Sequence, residues 1–351
     1  MRAYGIILAG GSGERFWPLS TSDRPKQFVD LFGGKPLIRH AVDRLKGLIP
    51  PERILVITAE RFVKLTQEML PMVPAMNIVG EPCARNTAAA VAVAAGLVRK
   101  LGGDDAVGCV LTADHMITPA TRFRATLKDA IRAASQTNAI VTLGVVPNAP
   151  ETGYGYIKIG APADVPTGTT FYAVDRFVEK PDAQTAQRFL EDGGYYWNAG
   201  MFVWTAATMA KAYADFAPDI AEVLDEVAVS DNVAATLKKL YPDLRSTSVD
   251  FAVMEHVKNV LVAQCNFNWS DVGNWLSLPT FFSRDVSGNT RLGRTALIDT
   301  SGSIVVSDAA HPVGVVGLDN VVVVHTSNGT LVCAKDRVQD IKKILRELLP
   351  R

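Results

Sequence analysis

A chain of 351 residues with 36 Lys plus Arg against 36 Asp plus Glu carries no net charge, so no global field draws it to nucleic acid or to an anionic membrane, and any anion it binds must be held locally. At 48% hydrophobic it can bury a sizeable core, and its length suits two or three domains. Its four cysteines, Cys83, Cys109, Cys265 and Cys333, show no C-x-x-C spacing, which favours free thiols in a reducing compartment over a metal site. The N-terminal apolar run is too short for a signal peptide, and the longest small-apolar run, Ala88 to Val98, is too short to span a bilayer. The expectation is a soluble, cytoplasmic protein with neither nucleic acid nor membrane as a partner.

Strand-like and helix-like segments alternate along the first half. Gly5–Leu8 reads as a strand, Leu37–Leu48 as a helix, Ile54–Thr58 as a strand and Arg61–Leu70 as a helix stopped by Pro71. Asn77–Gly80, Ala106–Thr112 and Ala139–Val145 are further strands, with an alanine-rich buried helix over Thr87–Leu101 and another helix over Phe123–Ser135. Such alternation predicts an α/β, Rossmann-like domain with a mixed, mostly parallel sheet, whose ligands lie beyond the carboxyl ends of the strands. Later segments mix strands with loops. Ala173–Glu179 and the aromatic run 195–204 are expected in a lid or substrate-facing subregion, followed by a helical region from Met209 to Leu240. From Asp285 short valine-rich strands separated by turn residues predict a small all-β unit, closed by an amphipathic helix over Asp340–Leu349. The expected domains are 1–284 and 285–351.

Chemistry concentrates after the first strand, in Leu8-Ala9-Gly10-Gly11-Ser12-Gly13, followed by Arg15 and Lys26. Glycines there let the backbone turn tightly and bring several N–H groups to one anion. With two cations beside them they make a cradle for a polyphosphate. It is not a Walker A loop, since Gly33-Gly34-Lys35 is followed by Pro36, and not a G-x-G-x-x-G fingerprint, since position 16 is Phe.

The pattern LAGG-x-G-x-R-x-WPLS-x-x-x-x-PKQF resembles the signature of the sugar nucleotidyltransferases, and its WPLS and PKQF details resemble the mannose-1-phosphate guanylyltransferase branch. The match runs to about Asn289 and more weakly beyond. The resemblance implies transfer of GMP from GTP to mannose 1-phosphate, with the loop on the nucleoside triphosphate, Arg15 steadying the leaving pyrophosphate and Lys26 contacting phosphate. It implies a short left-handed β-helix at the C-terminus, although the hexapeptide repeat is poor, and a homodimer. The isomerase domain of long bifunctional relatives is not expected in a chain of this length.

Glu81, at a strand end before Asn86 and Thr87, has two readings. Asn86 or Thr87 can simply cap the following helix. Alternatively the segment recognises the base, because the N1–H and N2–H₂ of guanine form a donor pair that one carboxylate can accept. Asp114 after its strand can be a helix cap; in the family the corresponding residue binds Mg²⁺, which takes one or two carboxylates plus substrate phosphates. Asp271 in WSDVG can be a turn aspartate before Gly273 or the second Mg²⁺ carboxylate. The ETGYGYI, FVEKP and WNAGMFVW segments resemble the family's sugar-phosphate site, which makes Gly155, Glu179 and Asn198 sugar contacts and Lys180 a phosphate contact. Glu179 and Lys180 can also be a solvated strand end. Rival readings are another sugar 1-phosphate or base, and a non-catalytic regulatory subunit that binds nucleotide-sugar.

Overall fold

The opening apolar run becomes strand β1, Ala3–Ala9, with Ile6 and Ile7 fully buried, in a computed structural model that describes every residue except 1, 12, 32, 33, 309 and 349–351. Gly33 and Leu349, both used in reading the sequence, lie outside the described residues. The chain forms two compact units. The first comprises Met1–Gly10, Ile38–Ala113 and Ile117–Trp269; the second comprises Gly11–Leu37, Asp114–Met116 and Ser270–Arg351.

A nine-stranded sheet organises the first unit. Its other strands are β2 (Ile54–Ala59), β3 (Ile78–Glu81), β4 (Val107–Thr112), β5 (Ile140–Val145), β6 (Tyr156–Ala163), β7 (Phe171–Val178), β8 (Tyr195–Thr205) and β9 (Val260–Gln264). Their spatial order is β3-β2-β1-β4-β8-β5-β9-β7-β6. The parallel character lies in β3-β2-β1-β4 and in the pair β5–β9. Continuous apolar strands such as ILVIT suit it, because helices cover both faces of a parallel sheet.

The aromatic run expected in a lid or substrate-facing subregion is no lid but β8, inserted antiparallel between β4 and β5 in the middle of the sheet. Packing explains the difference. Trp204 is fully buried, and a Cβ at Gly108 on β4 would come within 2.4 Å of its ring, so a bare backbone there makes room for the indole.

The alanine-rich helix runs Asn86–Gly102 and buries Ala88 through Val98 on all sides. Small side chains let it approach the helix Pro218–Val229 closely. A Cβ at Gly96 would sit 2.5 Å from the Leu224 carbonyl oxygen.

In the second unit, β10 (Thr290–Leu292), β12 (Ile304–Ser307) and β14 (Val321–Thr326) form one parallel ladder, and β11 (Thr295–Ile298) with β13 (Val313–Val316) forms another. The chain alternates between the two ladders, which is the winding of a β-helix coil. Strand β15 (Gly329–Ala334) then pairs antiparallel with β14, and a helix, Ile341–Leu348, closes the described chain. The expected boundary at 284/285 falls a few residues before the first coil strand at Thr290, and the unit that holds the coil starts earlier. Phe16, Leu31, Leu37, Val272, Trp275 and Leu278 share one core with Ile304, Val306, Val322 and Val324. Without them the inner valines of the coil would face water.

Replacing Gly96 by Ala should lower stability by about 2 kcal/mol, the usual cost of overpacking. Urea unfolding of the variant beside wild type measures this, and an unchanged midpoint would show that the two helices can separate freely.

Candidate functional site

The second unit builds its chemistry around one lysine. Gly13 has φ 61°, and a Cβ there would lie 2.5 Å from the Lys26 Cβ, so the loop is laid directly on the Pro25-Lys26-Gln27 segment. Ser20 Oγ donates to the Gly13 carbonyl at 2.6 Å and Gln27 Nε2 to the Gly11 carbonyl at 3.4 Å. Lys26 is 8% exposed. Its Nζ donates to Asp114 Oδ2, to the Asp271 carbonyl and to the Val272 carbonyl, each at 2.9 Å. An ammonium has three N–H donors, and here each has an acceptor. Sequence reasoning assigned Lys26 to phosphate; the structure places it as the pin joining the Asp114 and Asp271 segments.

Burial works to raise the Asp114 carboxyl, but the charges of Lys26 and His115 and the Lys26 hydrogen bond outweigh it, so the group sits below its ordinary value and is ionised. His115 lies alongside, its Nε2 3.9 Å from Asp114 Oδ1. The Asp271 carboxylate lies over Gly273, where a Cβ would come within 2.9 Å of Oδ2. Val272 between them has φ 47°, a region that costs a β-branched residue about 1–3 kcal/mol. Ser270 Oγ accepts from its N–H at 3.0 Å, Lys26 takes its carbonyl, and its side chain is fully buried. The surroundings thus over-determine a strained backbone between two groups with chemical potential.

Two carboxylates supply hard oxygens, which suit Mg²⁺. No group of three or more His, Cys, Asp or Glu able to hold a metal occurs among the described residues, so a cation here would complete its shell with waters and substrate oxygens.

Arg15 lies exposed in the 3₁₀ turn Glu14–Phe16. The WPLS motif beside it is an anchor. Trp275 Nε1 donates to the Trp17 carbonyl at 3.3 Å, and Thr326 Oγ1 and Asn328 Nδ2 donate to the Pro18 carbonyl at 3.2 and 3.1 Å.

In the first unit, Leu8 and Ala9 end β1, where Thr58 Oγ1 donates to the Ala9 carbonyl at 3.2 Å, and Gly10 has open space where a Cβ would be. Glu81 ends β3. Tyr241, fully buried, donates its hydroxyl to Glu81 Oε1, and Arg85 donates to the carbonyls of Tyr241 and Pro242. Burial raises the Glu81 carboxyl, and the tyrosine bond partly offsets this. Asn86 has φ 63° and its Oδ1 accepts from Thr87 N at 2.7 Å, while Thr87 Oγ1 accepts from Val249 N at 2.9 Å.

A second cluster in this unit joins Gly155, Glu179, Lys180 and Asn198. Asn198 N donates to the Gly155 carbonyl at 2.8 Å, and a Cβ at Gly155 would lie 2.6 Å from Glu179 Oε2. Lys180 Nζ sits 3.0 Å from Glu179 Oε1, and its backbone has φ 43°. Asn198 Nδ2 donates to Asp250 Oδ1 at 2.9 Å. Sequence reasoning missed Tyr241 and Asp250. The signal that could have found Asp250 is its segment, Ser248-Val249-Asp250-Phe251-Ala252-Val253-Met254-Glu255, which resembles one of the sugar nucleotidyltransferases; Tyr241 follows a helix as an ordinary Tyr-Pro pair and offers none.

A family model described as nucleotidyl transferase matches residues 4–287, and one described as a mannose-phosphate isomerase/GMP-like β-helix domain matches 293–348. Mannose-1-phosphate guanylyltransferases of Escherichia coli and Klebsiella pneumoniae are each 39% identical over 351 residues, 98% of this chain and 73% of theirs. The xanthan biosynthesis protein XanB of Xanthomonas campestris is 38% identical, over 98% of this chain and 72% of its own. A solved structure described as a mannose-1-phosphate geranyltransferase from Thermus thermophilus superposes with a TM-score of 0.88 at 34% identity, covering 99% of both chains.

Lys26→Met should lower stability by about 2 kcal/mol, because it leaves Asp114 partly buried and unpaired and frees two carbonyls. Urea unfolding at neutral pH in the presence of a chelator reads this; a loss under about 0.5 kcal/mol, the low end for a single hydrogen bond, would mean the pin is dispensable to the fold.

Proposed function

The chain belongs to the nucleotidyl transferase family, in its mannose-1-phosphate guanylyltransferase branch, and from that premise we propose how its own residues transfer GMP from GTP to mannose 1-phosphate. An oxygen of the mannose phosphate bonds to the α-phosphorus of GTP. The bond from that phosphorus to the bridging oxygen breaks, and its electron pair leaves with pyrophosphate, giving GDP-mannose. The nucleophile is already an anion, since a phosphate monoester has its second pKa near about 6. No general base is needed, and no residue is assigned that task.

Catalysis is then positioning and charge neutralisation. The observation that carries the assignment is the Lys26 pin, which brings two carboxylate-bearing segments to one ammonium. Asp114 and Asp271 would hold Mg²⁺, which when bound shields the α-phosphate from the incoming anion. Leu8, Ala9, Gly10, Gly11 and Gly13 offer backbone amides to the triphosphate, and exposed Arg15 neutralises the leaving pyrophosphate with Lys26 adding its field. Lys180 holds the attacking phosphate, and Gly155, Glu179 and Asn198 hold the sugar. Glu81 accepts from guanine N1–H and N2–H₂, with Tyr241 fixing its rotamer and Asn86 and Thr87 shaping the turn beside it. Cytoplasmic residence, supported by four unpaired thiols, and a homodimer, supported by the family resemblance, belong to the same proposal. A light-scattering concentration series checks the dimer.

Pyrophosphate release should occur with GTP and mannose 1-phosphate in Mg²⁺, and at least tenfold more slowly with ATP, UTP, CTP or dTTP. Equal release with another nucleotide would discard the Glu81 assignment. Glu81→Gln should lower kcat/KM for GTP at least tenfold, and Tyr241→Phe by a smaller factor, with little change in unfolding for the first. Asp271→Asn should lower kcat by orders of magnitude in a folded protein, and turnover near wild type in saturating Mg²⁺ would remove its role.

A further inference from the structure

Asp250 opens a π-helical turn, Asp250–Met254, in which the Glu255 N–H reaches back to the Asp250 carbonyl at 3.0 Å. Such turns are rare and occur often at functional sites. The side chain points at Asn198, and the orientation of that amide is fixed. Asn198 Oδ1 accepts from the Gly200 N–H at 3.1 Å and from Thr142 Oγ1 at 3.3 Å, so Nδ2 is the atom that faces Asp250 Oδ1. One Nδ2 hydrogen is used there. Beside it, a Cβ at Gly155 would come within 2.6 Å of Glu179 Oε2, so the backbone next to that carboxylate is bare.

We propose that Asp250 is a sugar-selecting residue of this enzyme: with Asn198 and Glu179 it presents a carboxylate oxygen to a hydroxyl of the hexose 1-phosphate. This rests on the sugar-phosphate reading of the Gly155, Glu179 and Asn198 cluster. A purely structural carboxylate at this place would be expected beside a cation. The charges acting on Asp250 are instead those of Glu179 and Glu255, offset in part by the Asn198 hydrogen bond and a backbone hydrogen bond; the ammonium of the cluster, Lys180, is paired with Glu179. Burial, then the Glu179 charge, push the Asp250 carboxyl up to about 6. Its folded value is above its unfolded one. Its contribution to stability is therefore present below the unfolded value and lost as pH rises through about 6, so at pH 8 the ionised side chain costs the fold stability. A hydroxyl donor from a sugar gives that charge a further hydrogen bond beside the one from Asn198.

The test compares wild type, Asp250→Asn and Glu179→Gln in pyrophosphate release with GTP, using mannose 1-phosphate and glucose 1-phosphate, together with thermal unfolding at pH 8 and pH 5. Asparagine keeps the Asn198 bond and the shape but loses the charge. The expected result for Asp250→Asn is a KM for the sugar phosphate raised about tenfold, a KM for GTP within twofold of wild type, and a melting temperature at pH 8 equal to or above wild type, with the difference smaller at pH 5. A sugar-phosphate KM within twofold of wild type overturns the proposal. A fall in melting temperature with both KM values rising together also overturns it, because that is a structural role. If Glu179→Gln leaves the sugar KM unchanged as well, the sugar-site reading itself fails; if only Asp250→Asn does, the reading stands and Asp250 is not part of it.

Discussion

The Lys26 ammonium has three N–H donors, and the structure gives them one carboxylate oxygen and two consecutive carbonyls from a segment 245 and 246 residues away in the chain. Much of the second unit depends on that arrangement. A buried ammonium is tolerable only when paired and fully hydrogen-bonded, so Asp114 must be ionised beside it and residues 271 and 272 must turn both carbonyls inward. Turning them inward puts Val272 in the left-handed region. The strain is held there by Ser270, by Lys26 and by the burial of the Val272 side chain. The Asp271 carboxylate is left over the bare backbone of Gly273. The pin therefore organises the two carboxylate-bearing segments.

The β-coil has a related task. Its valines finish the core that contains Phe16, Leu37, Val272 and Trp275, and its turn residues Thr326 and Asn328 hold the Pro18 carbonyl. The glycine loop, the Lys26 segment and the Asp271 turn thus stand on the same hydrophobic base as the coil. A chain cut at residue 285 would keep the residues that name the family but lose the packing under the WPLS motif and the strained turn.

The sequence made the strands of the parallel half legible because each is a short apolar run bounded by turn residues, and the helix Asn86–Gly102 was legible from its alanines. The place of β8 was not. Periodicity reports which residues are apolar, and it carries no information on where in a sheet a strand returns. The Trp204–Gly108 fit that places it joins residues far apart in the chain. Among the candidate residues, Asp114, Asp271, Glu179 and Asn198 were singled out by chemistry that the resemblance named. What Lys26 touches was not, because a lysine after a glycine loop has the same composition whether it faces an anion or a neighbouring carbonyl.

Two carboxylates, Asp250, which sequence reasoning passed over, and Glu81, which it read as a base contact, share one physical situation. Each is pushed up by burial and each is met by a neutral side-chain donor, Asn198 for the first and Tyr241 for the second. A protein that needed these carboxylates only for folding would gain by placing a cation or an apolar residue there. One neutral hydrogen bond fixes the rotamer and leaves acceptor capacity on the same group. A guanine edge and a sugar hydroxyl are both neutral donors, and a carboxylate already neutralised by lysine would hold them less strongly. The pairing with asparagine and tyrosine, where Lys26 is used for Asp114, leaves Asp250 and Glu81 acceptors without an ammonium partner and Asp114 a carboxylate held by one, which is the division the proposed roles require.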